Sequence, residues 1–274
     1  MRNFALTALL LSCLVTPASI AADLLIKSDN HQQAFGSEKL LTRTDVKPVD
    51  IPLDPAYKKP MHYRAVPLAS LLQEQGINPA DDLNFVALDG FTATLPAAMI
   101  LNSGKSEALL AIENSVDAWP PLSDKSKATA GPFYLVWKNP EANGITQEQW
   151  PFQIARIEKV DSIAKRFPML PPNKSIPENS DIRKGFIVFQ KNCLVCHTLN
   201  GGGDGTMGPD LNVPHNPTEY FQAAFLKMLI RNPKQVRAWP DSKMPGFDEK
   251  TISDVEIEQL IGYLRHMKSE AARR

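Results

Sequence analysis

Cysteine is scarce in this chain. Three occur in 274 residues, and after Cys13 the next is Cys193. Scaffolds built on disulfides are dense in cysteine, so that class is excluded. An excess of charge of one sign is also missing. Lys+Arg and Asp+Glu balance at 30 each, which argues against nucleic acid as a bulk-charge partner. The apolar run Phe4 to Val15 is too short to cross a bilayer. A hydrophobic fraction of 43% with 22% charged residues excludes disordered and fibrous classes, and the length is comfortable for two domains.

The N-terminus has the layout of an export signal over residues 1–22. Arg2 gives a basic start, Phe4 to Val15 the apolar core, and Pro17 to Ala22 small residues before Asp23, with cleavage expected after Ala21 or Ala22. Leu10-Leu11-Ser12-Cys13 loosely resembles a lipobox, but the good cleavage site further on favours a soluble, periplasmic product over an anchored one. Cys13 then leaves with the signal. Cys193 and Cys196 remain, three residues apart and with no other disulfide partner.

Residues 23–167 read as one α+β domain without a cysteine. Phe85, Ala87 and the Asp89-Gly90 turn suggest a strand entering a tight loop. Phe133, Leu135 and Trp137 alternate behind Gly131-Pro132, as do Phe152 and Ile154 behind Trp150-Pro151, and both patterns suggest half-buried strands. Pro67 opens a short helix with Leu68, Leu71 and Leu72 on one face and Gly76 at its end; a second is expected over about Pro96 to Leu101. His31 is isolated, and His62 beside Arg64 could touch an anion, although such a pair is more often a solvated edge. No carboxylate pair, nucleophile motif or phosphate loop in this half is strong enough to name.

Residues 168–179 form a boundary. Pro168, Pro171, Pro172 and Pro177 make the segment extended and semi-rigid rather than part of a core. Residues 180–274 then read as helical. Asn179 or Ser180 can cap a helix carrying Ile182, Phe186 and Phe189 on one face. A glycine-rich loop runs from Gly201 to Gly205. A further helix is expected from about Thr218, with Phe221, Phe225, Met228 and Leu229 on one face, closed by Asn232-Pro233. Ser253-Asp254-Val255-Glu256 is a capping box for a last helix with Ile257, Leu260, Ile261 and Leu264 at core spacing.

The helix at Phe189 delivers the chain into Cys193-Leu194-Val195-Cys196-His197, the spacing of a covalent haem-attachment motif. On a helical turn, thiols three apart face the same way, so both can bond one edge of a porphyrin. His197 is then placed to offer an imidazole nitrogen to the iron. A bare C-x-x-C is also half a zinc site or a redox dithiol.

The wider pattern resembles the class I cytochrome c family over the last hundred residues or so. The matching residues are Gly185 and Phe189, the attachment motif, Gly208-Pro209-Asp210-Leu211, Met244-Pro245-Gly246-Phe247, and Tyr263. That resemblance implies one covalent haem c on Cys193, Cys196 and His197, and an all-α cytochrome c fold in which the first and last helices cross at Gly185 and Tyr263. It also implies a Pro209 carbonyl bonded to the free ring nitrogen of His197. Met244 is the expected distal ligand, since thioether with imidazole is the electron-transfer pairing. Met207 competes, His215 is a weaker candidate, and Met228 and Met267 are expected to be core packing. Lys227, Arg231, Lys234, Arg237 and Lys243 against only Asp241 suggest either a basic docking ring for an acidic partner or a solvated face.

A second resemblance covers roughly the first half of the mature chain. Tyr63-Arg64-Ala65-Val66-Pro67-Leu68 through Leu71-Leu72, Leu88-Asp89-Gly90-Phe91, Ala108-Leu109-Leu110-Ala111 and Gly131-Pro132-Phe133-Tyr134-Leu135-Val136-Trp137 look like the molybdopterin-binding domain of the sulfite-oxidase family. That family holds molybdenum with a protein cysteine, which this half lacks, so bound molybdopterin is not expected.

The reading is therefore an exported monohaem cytochrome c carrying single electrons between a periplasmic oxidoreductase and a downstream acceptor, with no catalytic residue and no membrane span after signal removal. Three alternatives stand beside it. The chain could be a haem subunit or fusion of a molybdopterin-type oxidoreductase, its first domain binding a ligand. It could be a docking or assembly subunit. Or it could be a haem protein whose distal position is open to a gas or peroxide.

Overall fold

The computed structural model describes residues 22–271 except 30, 103, 115 and 239–241. The expected export signal, residues 1–22, lies outside the described residues but for Ala22. In chain order the first part comprises β1 (Asp23–Ser28), β2 (His31–Gly36), α1 (Ser37–Leu41), β3 (Lys47–Ile51), β4 (Met61–Pro67) and α2 (Leu68–Glu74). There follow β5 (Asp82–Ala87), β6 (Thr92–Pro96), α3 (Ala97–Leu101), β7 (Glu107–Ile112), β8 (Phe133–Lys138), β9 (Ile154–Val160) and α4 (Ile163–Arg166). The strands make two sheets, ordered β2-β1-β9-β5-β6 and β3-β4-β7-β8. β1 and β9 run parallel, while the other pairs are antiparallel.

Both helices expected in this half, α2 and α3, form where Pro67 and Pro96 precede them, and Gly76 (φ +72°) ends the first. The two alternating patterns come out differently from the half-buried reading. β8 is buried on both faces: Tyr134 and Val136 are as hidden as Phe133, Leu135 and Trp137. Tyr134 tolerates this because its hydroxyl donates to Asp54 Oδ1 at 3.2 Å, which satisfies its one polar atom. The second pattern is broken. Gln153 takes a left-handed φ of +53°, so β9 begins only at Ile154 and Phe152 stays exposed.

The second part is helical: α5 (Asp181–Asn192), α6 (Pro217–Tyr220), α7 (Ala223–Arg231), α8 (Pro233–Val236) and α9 (Asp254–Ala271). Ser180 caps α5 by accepting from Arg183 N, which decides between the two candidate caps. The capping box of α9 forms as expected: Ser253 N donates to Glu256 Oε2 at 2.8 Å and Glu256 N donates back to Ser253 Oγ at 3.3 Å. The single helix expected from Thr218 is two. Asn216 and Glu219 build a capping box for α6, and Phe221 and Gln222 are then extended before α7 starts. The buried positions of α7 are Leu226 and Ile230, whereas Phe225 and Met228 stand 50% and 41% exposed. Met228 is therefore not core packing. Met267 is, at 1% exposure.

The two parts have separate cores, but the join is not a free spacer. Ile163 and Leu170 already belong to the helical core, and Leu170 is fully buried. Its carbonyl accepts from Tyr263 Oη at 2.7 Å, and Arg183 Nε donates to the Ile176 carbonyl at 3.0 Å. The proline-rich stretch is thus packed down on α5 and α9, contrary to the expectation that it stays out of a core. Prolines set its extended path, while its one leucine and its carbonyls supply the anchorage.

α5 and α9 cross at Gly185. A Cβ there would lie 2.5 Å from the Gln259 carbonyl carbon and 2.9 Å from Tyr263 Cβ, so only glycine permits this approach. Tyr263 fills the crossing between the rings of Phe186 and Phe189, each 5.4 Å from it centroid to centroid. Gly185→Ala should gain about 1 kcal/mol of helix propensity yet lose about 1–3 kcal/mol to overpacking against a backbone that cannot swing aside. The expected outcome is a lower unfolding midpoint of the helical part by thermal or denaturant melting; an unchanged or raised midpoint would contradict this crossing.

Candidate functional site

The attachment motif sits where α5 runs out. Cys193 N still bonds the Phe189 carbonyl at 2.9 Å, and Cys196 N and His197 N both turn back to the Cys193 carbonyl, at 3.1 and 2.9 Å. One further turn therefore carries the two thiols and ends on the histidine. Both cysteines are free. Burial pushes their thiols up, Cys193 to about 12 and Cys196 to about 11, with the negative charge of Glu148 acting the same way. A redox dithiol needs the opposite shift, towards thiolate at neutral pH. Among the described residues no group of three or more His, Cys, Asp or Glu side chains is placed to hold a metal ion.

His197 is held by its other nitrogen. Nδ1 donates to the Pro209 carbonyl at 2.8 Å, which fixes the tautomer and leaves Nε2 with its lone pair. Burial moves the imidazole below its ordinary pKa, with the Pro209 hydrogen bond partly opposing, so the ring is neutral and able to bind a metal. Gly208 lies against the flat of this ring, where any Cβ would collide with it, and its N–H bonds the Cys196 carbonyl at 2.8 Å.

Asp210 organises the loop that carries Pro209. Its carboxylate accepts from Thr198 Oγ1 (2.9 Å) and from the N–H groups of Asn200 (3.2 Å), Gly201 (2.8 Å), Asn212 (2.8 Å) and Val213 (2.9 Å). Burial alone would raise this carboxyl, but the converging donors outweigh it and hold it below the usual carboxylate range. Sequence reasoning placed Asp210 in a motif without seeing this role. The cue available was an Asp followed two and three residues later by backbone it could cap, the Asx-turn pattern.

Met244 is half-buried in an irregular segment. Three residues on, Phe247 anchors that segment to the end of α7: its N–H bonds the Ile230 carbonyl at 3.0 Å, and Arg231 Nη1 donates to its carbonyl at 2.9 Å. Gly246 is required beside it, since a Cβ would come 2.5 Å from the Arg231 carbonyl oxygen. Met207 is exposed on the glycine-rich loop, and His215 is exposed in an open groove with Val213, Glu219 and Tyr220.

The residues fit a porphyrin. Met207, Val213, Tyr220, Phe225 and Met228, all within the stretch after the motif, leave large apolar side chains exposed, on α7 at positions other than the buried Leu226 and Ile230. Two thiols on one turn and a neutral imidazole with Nε2 free are the donors that a covalently attached haem would use.

The basic stretch is largely paired. Lys227 bonds Asp254 at 2.9 Å, and Arg231 bonds Asp254 at 2.7 Å besides capping the carbonyls of Phe247 and Asp248. Lys234 and Lys243 are exposed, and Asp241 lies outside the described residues. In the first part, His62 pairs with Asp50 across an exposed strand pair and Arg64 donates to the Leu41 carbonyl, in keeping with a solvated edge. The buried carboxylate there, Asp54, accepts from Tyr63 Oη at 2.8 Å and from the N–H groups of Ala56 and Tyr57 as well as from Tyr134.

The family model described as Cytochrome c matches residues 182–268. The match supports a C-terminal cytochrome c domain and with it a haem-based role in electron transfer. It includes the attachment motif, Pro209 and Met244, and no residue before 182. No curated protein matches the chain. Among the described residues no helix is long and apolar enough to cross a membrane.

Asp210→Asn tests the loop. The wild-type carboxyl lies below its unfolded value, so its contribution is present at neutral pH and is lost as pH falls through the folded value. At pH 7 the variant should be less stable by about 1.5–3 kcal/mol, the scale of a hydrogen-bonded charged acceptor. The gap to wild type should close below about pH 4, where carboxylates ordinarily protonate. A gap of equal size at every pH would contradict this.

Proposed function

We propose that this protein is an exported monohaem cytochrome c that carries single electrons between a periplasmic oxidoreductase and a downstream acceptor. The observation that carries the reading is the Cys193–His197 turn with the His197 Nδ1 on the Pro209 carbonyl and Nε2 left available. When bound, haem c supplies a one-electron ferric/ferrous couple. Cys193 and Cys196 would hold the haem, each thiol adding its S–H across a vinyl group so that two thioethers form. His197 Nε2 and the Met244 sulfur would be the ligands to its iron. Pro209 keeps the imidazole oriented and electron-rich. No catalytic residue is assigned.

The first part is assigned a supporting role on a fold derived from the sulfite-oxidase type. A molybdenum centre there would need a thiolate, and residues 23–167 contain no cysteine. Lys234 and Lys243 would steer an acidic partner.

Met244→Ala should abolish the weak sulfur-to-iron charge-transfer band of the oxidised protein and raise its ferrous affinity for carbon monoxide. Met207→Ala should do neither. If carbon monoxide binds wild type and the Met244 variant equally, the distal position is open or held by another residue, and the carrier reading fails.

A further inference from the structure

The glycine-rich loop behind the attachment turn is tied to the first part of the chain by one ion pair. Arg166 ends α4, and its guanidinium is fixed on several sides. Nε donates to the Asp161 carbonyl at 3.1 Å, Nη2 to Thr94 Oγ1 at 3.3 Å and Nη1 to Asp204 Oδ2 at 2.7 Å, while the group lies 4.8 Å above the Phe167 ring. Thr94 belongs to β6, so the anchor is a sheet rather than a mobile loop.

Asp204 stands between two glycines that press on the site. A Cβ at Gly205 would come 2.5 Å from the Cys196 carbonyl carbon and 2.6 Å from His197 N. At Gly203 it would meet Leu194 Cδ1 at 2.7 Å and the His197 carbonyl oxygen at 3.4 Å. The strip bearing Asp204 therefore lies directly on the backbone of Cys196 and His197. It continues into Gly208, which backs the imidazole, and Pro209, which accepts from it. Asp210 secures the two ends of this loop, and Asp204 secures its middle. Other bonds grip the turn from its upstream side. Lys191 Nζ donates to the Gly144 carbonyl at 2.7 Å, and Gln149 Nε2 donates to the Lys191 carbonyl at 3.1 Å. Val195, inside the motif, packs on the first core.

We propose that Arg166 and Asp204 are positioning residues of the haem site: through this pair the first part of the chain holds the 203–208 loop against Cys196 and His197 and so fixes the imidazole. The inference rests on the haem reading above. It gives the first part a function that needs no ligand of its own, which is to brace the iron's proximal side.

Charge and position predict different signs. A cation removed near the iron lowers its reduction potential, and an anion removed raises it. If the pair acts only through charge, Arg166→Ala and Asp204→Ala must shift the potential in opposite directions. If it acts by holding the loop, either change loosens the same contact, admits water behind His197 and stabilises the ferric state. Both single variants then lower the potential, and the double variant does less than the sum of the two, since the Arg166–Asp204 contact is lost in each case while Thr94 Oγ1, 3.4 Å from Asp204 Oδ2, touches both residues. Asp204→Asn, which keeps the shape, and Arg166→Lys, which keeps the charge but not the fork, should fall between.

The experiment is spectroelectrochemistry on the full chain matured in the periplasm, with covalent haem measured on each sample. Downward shifts in both singles, non-additive in the double, are the expected result. Opposite shifts, or unmoved potentials in fully loaded variants, would overturn the inference alone. If the alanine variants fail to fold, Asp204→Asn and Arg166→Lys carry the same test. Wild-type protein without covalent haem would overturn the haem reading and this inference with it.

Discussion

The C-terminal site depends on one hydrogen bond, from His197 Nδ1 to the Pro209 carbonyl. It selects the tautomer, turns the ring and leaves the second nitrogen free. Much of the surrounding structure serves to keep that carbonyl in place. Gly208 gives the ring its clearance, and Asp210 folds the loop on either side of Pro209 around one carboxylate. α5 brings the histidine to the same point, and the crossing at Gly185 and Tyr263 packs α5 against α9.

The first part of the chain is joined to this arrangement more closely than a tandem domain. Tyr263, at the centre of the helix crossing, donates to a carbonyl of the proline-rich segment, and Ile163 and Leu170 already lie in the helical core. The attachment turn that follows α5 is gripped at Lys191 upstream and at Asp204 downstream. Two separate hydrophobic cores thus share one polar seam, and that seam runs along the attachment motif. Burial also raises the Glu148 carboxyl near both cysteines, outweighing the Gln147 hydrogen bond and the charge of Lys58, so the seam is a place of low effective dielectric.

Much of the site was legible in the sequence because its chemistry is local. Spacing within Cys193–His197 and the capping box at Ser253 each depend on near neighbours, whereas the close approach at Gly185, to Gln259 and Tyr263, came from family resemblance. The Pro209 bond came from family resemblance, and the geometry now accounts for it. What misled were effects of tertiary context. The alternation in β8 suggested one wet face, but Asp54 satisfies Tyr134 and both faces are buried. The apolar face of α7 counted Phe225 and Met228 as core, although Leu226 and Ile230 fill that place and the other two stay exposed. The prolines at 168–177 signalled a spacer, and they could not show that Leu170 would be buried by α9. Nor could Arg166 and Asp204, 38 residues apart, be paired by inspection.

The central claim is that the C-terminal part binds one haem through Cys193, Cys196 and His197, with Met244 as the sixth ligand. The most direct measurement is the absorption spectrum of the oxidised and reduced full-length protein matured in the periplasm, with metal analysis on the same sample. A low-spin c-type spectrum with the weak sulfur-to-iron band, and iron as the metal present at one per chain, is the predicted result. A high-spin ferric spectrum, or molybdenum alongside the iron, would contradict the account and turn the search towards a substrate.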